Sequence, residues 1–490
     1  MKEKKGAALS DVMVKKSIKG FMWAGIELLG RQGISLVIQI ILARLLSPSD
    51  FGLIGMLAIF TGLATTITDS GFQTWLLQKK APTSSDYSTV YLFNIFASLV
   101  LYFGLFLISP LIASFYNEPI LEELLKILGL TIIFGAFSMV HRVKLSRKMD
   151  FKSQAVISTF AMLLSGGVAI VIAYLGFGVW SLVVQQILNQ FLQTILLILA
   201  NRWTPKLTFS VVSFKQMFHY GWKILLSSML DTVYSNGSSV FIGKFFSTSQ
   251  LGYYTNGRKI SDVASLSLAG TVQKVSFPML SQLKENRLQM QESFRKILMM
   301  ISFVSFPLML GLSAVGEEAI LFLFGSKWLA AVPYFKLLSI AAMFMPMHIL
   351  NILLLQIIER TDRYLKLEII KKILALFAMV FALITFRSVI AIVWADVIVG
   401  TLSLVLNAYY TKEIINYSLL EQLKDVKMFM ISSILMYLVI FLVGLLIEGN
   451  LFLMLFCKVL IGMISYVVFI SLLKKETRQL IIRWIKKIGG

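Results

Sequence analysis

Charge is scarce in this chain. Only 14% of its 490 residues are charged, 57% are hydrophobic, and the mean hydropathy is +0.81. A soluble protein carries about 25% charged residues, and apolar runs of about 18 or more recur along the whole length, so the composition dictates a multispanning membrane protein. Cysteine is scarcer: the single Cys457 excludes an intramolecular disulfide. Histidine occurs three times, as His141, His219 and His348, too scattered for paired metal ligands, and no HExxH or CxxC is present. There is no GxxxxGK[ST] loop, so this chain binds no ATP by itself. Long polar loops are also missing. No connection exceeds about 18 residues, too little for a soluble domain, which disfavours a membrane glycosyltransferase or polymerase. The N-terminal stretch MKEKKGAALSDVMVKKSIKG is basic, and the apolar segment after it is too long for a cleavable signal.

Acids are few beside bases, 25 against 46, giving a formal charge of +21. In a soluble chain this suggests nucleic acid; in a membrane protein, basic residues gather in cytoplasmic loops. Periodicity predicts helices at about 19–46, 50–78, 87–115, 124–140, 153–175 and 178–200, then at about 217–243, 250–281, 294–315, 332–357, 366–385 and 388–410, and last at about 427–446 and 450–473. With the N-terminus inside, only Lys244, Lys327 and Arg387 fall in outer loops, which hold Glu118, Glu122, Glu123, Glu317 and Glu318. Both termini are therefore expected in the cytoplasm, and no nucleic-acid partner is needed to account for the positive charge.

One stretch is written twice. Ser47-Pro48-Ser49-Asp50-Phe51-Gly52 returns as Ser247-Thr248-Ser249-Gln250-Leu251-Gly252, and Arg44 returns as Lys244. The echo implies an all-α integral membrane fold of fourteen transmembrane helices: two pseudo-symmetric six-helix bundles and two further helices. Six being even, the halves form a parallel repeat. The expected organisation is a cytoplasmic tail at 1–18, bundles at 19–216 and 217–410, a cytoplasmic linker at 411–426, the extra pair at 427–473 and a basic tail at 474–490.

A charge at mid-bilayer costs about 2.5–3.5 kcal/mol or more, yet the repeated helices carry most of the embedded ones. Glu27 and Arg31 are spaced i, i+4, as are Arg258 and Asp262. Lys223, Lys259 and Lys274 add cations; Asp69 and Asp231 add acids. Lipid does not solvate such a track, so a water-filled cleft is expected, with the alternative of buried ion pairs that fix helix register. Arg44, Lys244, Lys126 and Lys336 are expected near helix ends, within reach of the surface. A cation or drug antiporter needs an acidic or aromatic cleft, and this one is net basic.

Several strings resemble one family. LARLLSPSDFGLIGML, the Asp69–Phe72 DSGF, the Phe115–Pro119 FYNEP, the Gly176–Val183 GFGVWSLV, the Pro205–Ser210 PKLTFS, the Ile242–Tyr254 IGKFFSTSQLGYY, and HILNILLLQ followed by YLKLEIIKK between His348 and Lys372 are similar to the WzxC-like lipopolysaccharide and teichuronic acid exporters. These belong to the multidrug/oligosaccharidyl-lipid/polysaccharide flippase superfamily. The resemblance covers about residues 15–425. It implies a MATE-like V lined by helices 1, 2, 7 and 8. It also implies export of polysaccharide repeat units on an undecaprenyl-pyrophosphate carrier across the bacterial cytoplasmic membrane, among membrane lipids and beside polymerase and chain-length proteins. The pyrophosphate and acidic sugars then fall to Arg31, Lys223, Arg258, Lys259 and Lys274, and H⁺ or Na⁺ coupling to Glu27, Asp69, Asp231 and Asp262, with no other cofactor. The chain departs from the family at Glu27-Leu28-Leu29-Gly30-Arg31, where relatives commonly read Asp-Arg-Phe-Gly, and at Glu359-Arg360-Thr361-Asp362, where they tend to read Gly-Arg-Ser-Asp.

Overall fold

The structure, a computed structural model, describes residues 30–69, 71–446 and 449–473. The expected tails, the first part of the first helix with Glu27, and the Asp69 side chain lie outside the described residues. Among the described residues, everything regular is helical. Residues 30–45 form α1. There follow α2 (Pro48–Asp69), α3 (Phe72–Gln78), α4 (Ser84–Tyr116), α5 (Ile120–Leu128), α6 (Leu130–Arg147), α7 (Phe151–Tyr174), α8 (Trp180–Asn201) and α9 (Val211–Phe245). Then come α10 (Thr248–Ser281), α11 (Arg287–Ala314), α12 (Gly316–Phe324), a 3₁₀ turn (Ser326–Ala331), α13 (Val332–Ala342), α14 (Met345–Ile357), α15 (Thr361–Phe386), α16 (Val389–Ile415), α17 (Leu419–Leu446) and α18 (Leu451–Leu473).

Among the described residues, eleven helical stretches are long and apolar enough to cross a membrane, so the chain is a multi-pass membrane protein. At 35 and 34 residues, α9 and α10 have the length but not the apolarity. Local chemistry sets the ends. Thr83 and Asp86 form a reciprocal capping box on α4. Asp150, Ser210, Asn286 and Ser388 cap α7, α9, α11 and α16. Asn416 closes α16 in the left-handed conformation, and Glu421 accepts from the Ser418 N–H and hydroxyl to start α17, so most of 411–426 is helical. Three apolar stretches are broken, one of them at Gly129 between α5 and α6. Gly71, at φ +75°, separates α2 from α3, and α14 begins afresh with Pro346 at its N-terminus.

The chain divides into two compact units, 1–252 and 253–490. The first contains α9, packed on α2, α3 and α4. A Cβ on Gly71 meets the Gly221 carbonyl oxygen at 2.5 Å, so the DSGF string is a place where two backbones touch. The duplicated turns meet reciprocally at the start of α2 and the first turn of α10. A Cβ on Gly52 lies 1.9 Å from the Thr248 carbonyl oxygen, and one on Gly252 lies 1.8 Å from that of Pro48. The other family strings gather here. Lys244 donates to the Phe115 carbonyl and covers the Phe115 ring, the Thr248 hydroxyl donates to Glu118 at 2.6 Å, and Gly178 faces the Asp50 carboxylate. Elsewhere in this unit α7 buries Ser158, Ala161, Ser165, Ala169 and Ala173, the small-residue seam that lets membrane helices approach closely.

In the second unit, Phe294, Leu298, Phe306, Met309, Leu350 and Leu354 form a core that α17 and α18 complete with Phe429, Met436, Ile440, Tyr466 and Ile470. A polar set closes inside it. Asn351 and Gln422 exchange amide hydrogen bonds at 2.9 and 3.0 Å, and the Thr411 hydroxyl donates to Asn351 at 2.6 Å. Lys458 of α18 forms a buried ion pair with Glu318. Glu318, expected in an outer loop, instead lies in the first turn of α12.

Candidate functional site

The expected cations divide between the units. On α10, Gly257, Ser261 and Ser265 recur every four residues and are buried; Gly257 lies against the backbone of α13. Lys259, two positions on, is therefore exposed, and so is Lys274. The structure brings Arg258 and Asp262 together: the Arg258 Nε lies 3.5 Å from the Asp262 carboxylate, and its Nη1 donates to the Tyr254 hydroxyl at 3.1 Å. Asp396 of α16 is close enough to act on Arg258 electrostatically. In the first unit, Lys223 and Asp231 are exposed on α9, and Lys223 lies 6.0 Å from the Trp222 ring. The neighbouring Thr232 faces inward and hydrogen-bonds Thr66 of α2 at 2.9 Å. Among the other embedded cations, Lys126, expected to open its helix, sits in the last turn of α5 and pairs with Glu122 at 2.6 Å. His348 packs against Asn407 at 3.3 Å.

Arg31 lines a cavity of about 620 Å³ inside the first unit. Thr61, Thr65 and Thr68 of α2 form one wall, their hydroxyls donating to carbonyls of their own helix so that oxygen lone pairs remain as acceptors. Ser138 and Arg142 of α6 form a second. The third is a row of carboxamides on α8: Gln186, Asn189, Gln190 and Gln193. Arg142 Nη2 donates to Gln193 Oε1 at 2.8 Å, and Gln193 Nε2 donates to Asn189 Oδ1 at 2.6 Å. No carboxylate lines the cavity among the described residues. Inspection of charges alone does not find this row. Its signal is spacing: four amides at i, i+3, i+4 and i+7 share one helical face in an apolar span.

The fold is thus a multi-pass membrane bundle in which two long polar helices, with cations along their length, stand among apolar spans. The polysaccharide biosynthesis protein model matches residues 41–333, so the chain belongs to the polysaccharide biosynthesis protein family. It is 27% identical over 330 residues to the teichuronic acid biosynthesis protein TuaB of Bacillus subtilis (strain 168), covering 67% of this chain and 68% of that one. It is 25% identical over 335 residues to the lipopolysaccharide biosynthesis protein WzxC of Escherichia coli (strain K12), covering 67% of each. The resemblance read from the sequence strings is thereby borne out. In fold the chain is similar to the lipid II flippase MurJ in an inward closed conformation, with a TM-score of 0.76 and 15% identity over 95% of this chain and 99% of that one. It is also similar to an inward-facing multidrug resistance MATE family transporter, with a TM-score of 0.63 and 17% identity over 79% and 94%.

Proposed function

We propose that the chain is a transporter rather than an enzyme: a flippase that moves oligosaccharide repeat units on a polyprenyl-pyrophosphate carrier across the bacterial cytoplasmic membrane. In this reading α1, α9 and α10 join the eleven apolar spans to make fourteen, arranged as two six-helix repeats and a trailing pair with both termini in the cytoplasm. The repeats rock to alternate access to a polar cleft. The lipid tail stays in the bilayer while the pyrophosphate and sugars, whose exposure to hydrocarbon costs several kcal/mol per polar group, are carried by protein groups. Arg31, Lys223, Arg258, Lys259 and Lys274 take the pyrophosphate, since guanidinium and ammonium suit phosphate oxygens. Asp69, Asp231, Asp262 and Glu27 are the candidates for H⁺ or Na⁺ coupling, and a polymerase and chain-length proteins are the candidate partners.

The observation that carries the reading is α10. A 34-residue helix with Lys259 and Lys274 exposed and Arg258 only half-buried is unsuited to a lipid face and suited to an anionic substrate. The test is the triple variant Arg31→Gln, Arg258→Gln, Lys259→Gln in the native host. Expected is loss of surface polysaccharide with the protein still in the membrane and the lipid-linked saccharide accumulating on the inner leaflet. Normal surface polysaccharide in that strain removes these residues from the site.

A further inference from the structure

We propose that the segment from Arg202 to Trp222, where α8 hands over to α9, is a docking site for an anionic phospholipid of the adjoining leaflet, whatever the chain transports. Its depth follows from its ties to α4. The Lys206 N–H donates to the Ser88 hydroxyl at 3.1 Å, and the Ser210 N–H donates to the Thr89 hydroxyl at 2.9 Å. From Thr89 to the far end of α4 at Tyr116 is about 40 Å of helix. A bilayer with its headgroups is about 40–45 Å thick, so the tied segment lies at headgroup level. Lys144 covers the Tyr87 and Trp203 rings and pins the start of the segment.

A segment held this firmly cannot fold its apolar groups away, yet Leu207 is 89% exposed, and Phe209, Val211 and Val212 are each more than half exposed. Along the first turns of α9, Val211, Lys215, Phe218 and Trp222 recur at i, i+4, i+7 and i+11 and form one exposed face. A hollow of about 800 Å³ opens against that face, lined among the described residues by Phe214, Lys215, Gln216, Phe218, His219 and Trp222. Rings beside a cation at this depth suit an acyl chain next to its headgroup.

The sign of the headgroup follows from the bases. No Asp or Glu occurs between Asp150 and Asp231, so the segment carries Arg202, Lys206 and Lys215 with no acid of its own. All three are exposed, and none forms an ion pair among the described residues. Of the acids at this end of the unit whose side chains are described, Asp86 pairs with Lys79 at 2.8 Å and caps α4, and Asp150 caps α7. The complement is a phosphodiester with a net negative charge. A zwitterionic headgroup brings its own ammonium and gains less from the three cations.

The test uses the full chain purified in detergent and titrated with phosphatidylglycerol or phosphatidylcholine whose acyl chains carry bromine, read by quenching of tryptophan fluorescence. Each cation near an anionic surface is worth about fivefold, so wild type is expected to bind phosphatidylglycerol about a hundredfold more tightly than phosphatidylcholine. Arg202→Gln with Lys206→Gln and Lys215→Gln should erase that preference, and Lys206→Arg with Lys215→Arg should keep it. Leu207→Ser with Phe209→Ser should weaken both lipids about tenfold and leave their ratio as it is. Trp222→Phe should remove most of the quenching, because the lipid lies against α9. All these side chains are on the surface, so the variants should keep the wild-type unfolding temperature in lipid-free detergent. Equal binding of the two lipids by wild type overturns the site. So does a triple glutamine variant that keeps the preference, since the lipid then lies elsewhere. Displacement by millimolar inorganic phosphate overturns it as well, because the ligand is then a soluble anion.

Discussion

The two units handle the same problem, amide side chains inside a membrane bundle, in opposite ways. In the second, Asn351, Gln422 and Thr411 satisfy one another in a fully buried cluster linking α14, α16 and α17. In the first, the amides of α8 share a face; Gln190 donates to the Ser138 hydroxyl at 3.4 Å, and beyond that bond and the Arg142–Gln193–Asn189 chain they border open volume. A polar group that spends its hydrogen bonds on its own fold stabilises that fold. One that faces a cavity contributes little to stability and is available to a ligand. The type of residue does not separate the two cases, whereas the bonding inventory does.

This contrast can be broken by measurement. The largest effect is expected at the ion pair of the closed unit. Lys458→Ala leaves Glu318 buried without its counter-ion, and breaking such a pair costs about 3–5 kcal/mol. The measurement is thermal unfolding of the purified protein, and a second substitution, Glu318→Leu, should recover much of the loss. Asn351→Leu is next. It strands the Gln422 amide and the Thr411 hydroxyl, at about 1–3 kcal/mol in the same assay. Gln186→Leu, on the open row, is expected to change stability by no more than about 0.5 kcal/mol while reducing polysaccharide export. A destabilisation as large as that of Asn351→Leu would erase the distinction between the units.

The smallest effect lies outside the bilayer. Lys284 donates to Glu359 at 2.9 Å and lowers the Glu359 pKa from its ordinary 4.5, by hydrogen bond first and charge second. A carboxyl whose folded pKa is depressed adds stability above its unfolded value and loses it as pH falls through the folded one. A slight decline in stability below pH 4.5 is therefore expected, and Lys284→Met should remove it. Titration of unfolding against pH in both proteins checks the sign.

The helical membrane fold is legible because length and apolarity are local properties: eleven of the fourteen spans expected from periodicity have a counterpart long and apolar enough to cross a membrane. Even α9 and α10, too polar for an apolar threshold, are found by their helical periodicity. The breaks at Gly71 and before Pro346 were not, because composition stays apolar across them. The partners of Lys126 and Lys458 are not legible in the sequence, because Glu122 and Glu318 fall outside the expected spans. Both acids stand on short helices, and Glu318 meets Lys458 across 140 residues of chain, a distance over which sequence spacing carries no information. The family strings were legible as strings, but what they do was not. Gly52, Glu118, Gly178 and Gly252 hold helix ends together, while the row on α8 falls in none of them. Carboxamides carry no formal charge, so a search for embedded ions passes over them.

The tie between α12 and α18 has a consequence for biogenesis. Translation delivers Glu318 to the bilayer 140 residues before Lys458 is made, an interval of roughly 7–28 s at bacterial elongation rates. Throughout it the acid has no lysine to meet, and the second unit lacks its last helix. This ion pair cannot form until that last helix is made, and a chain truncated before Cys457 is expected to unfold at a lower temperature than the full chain.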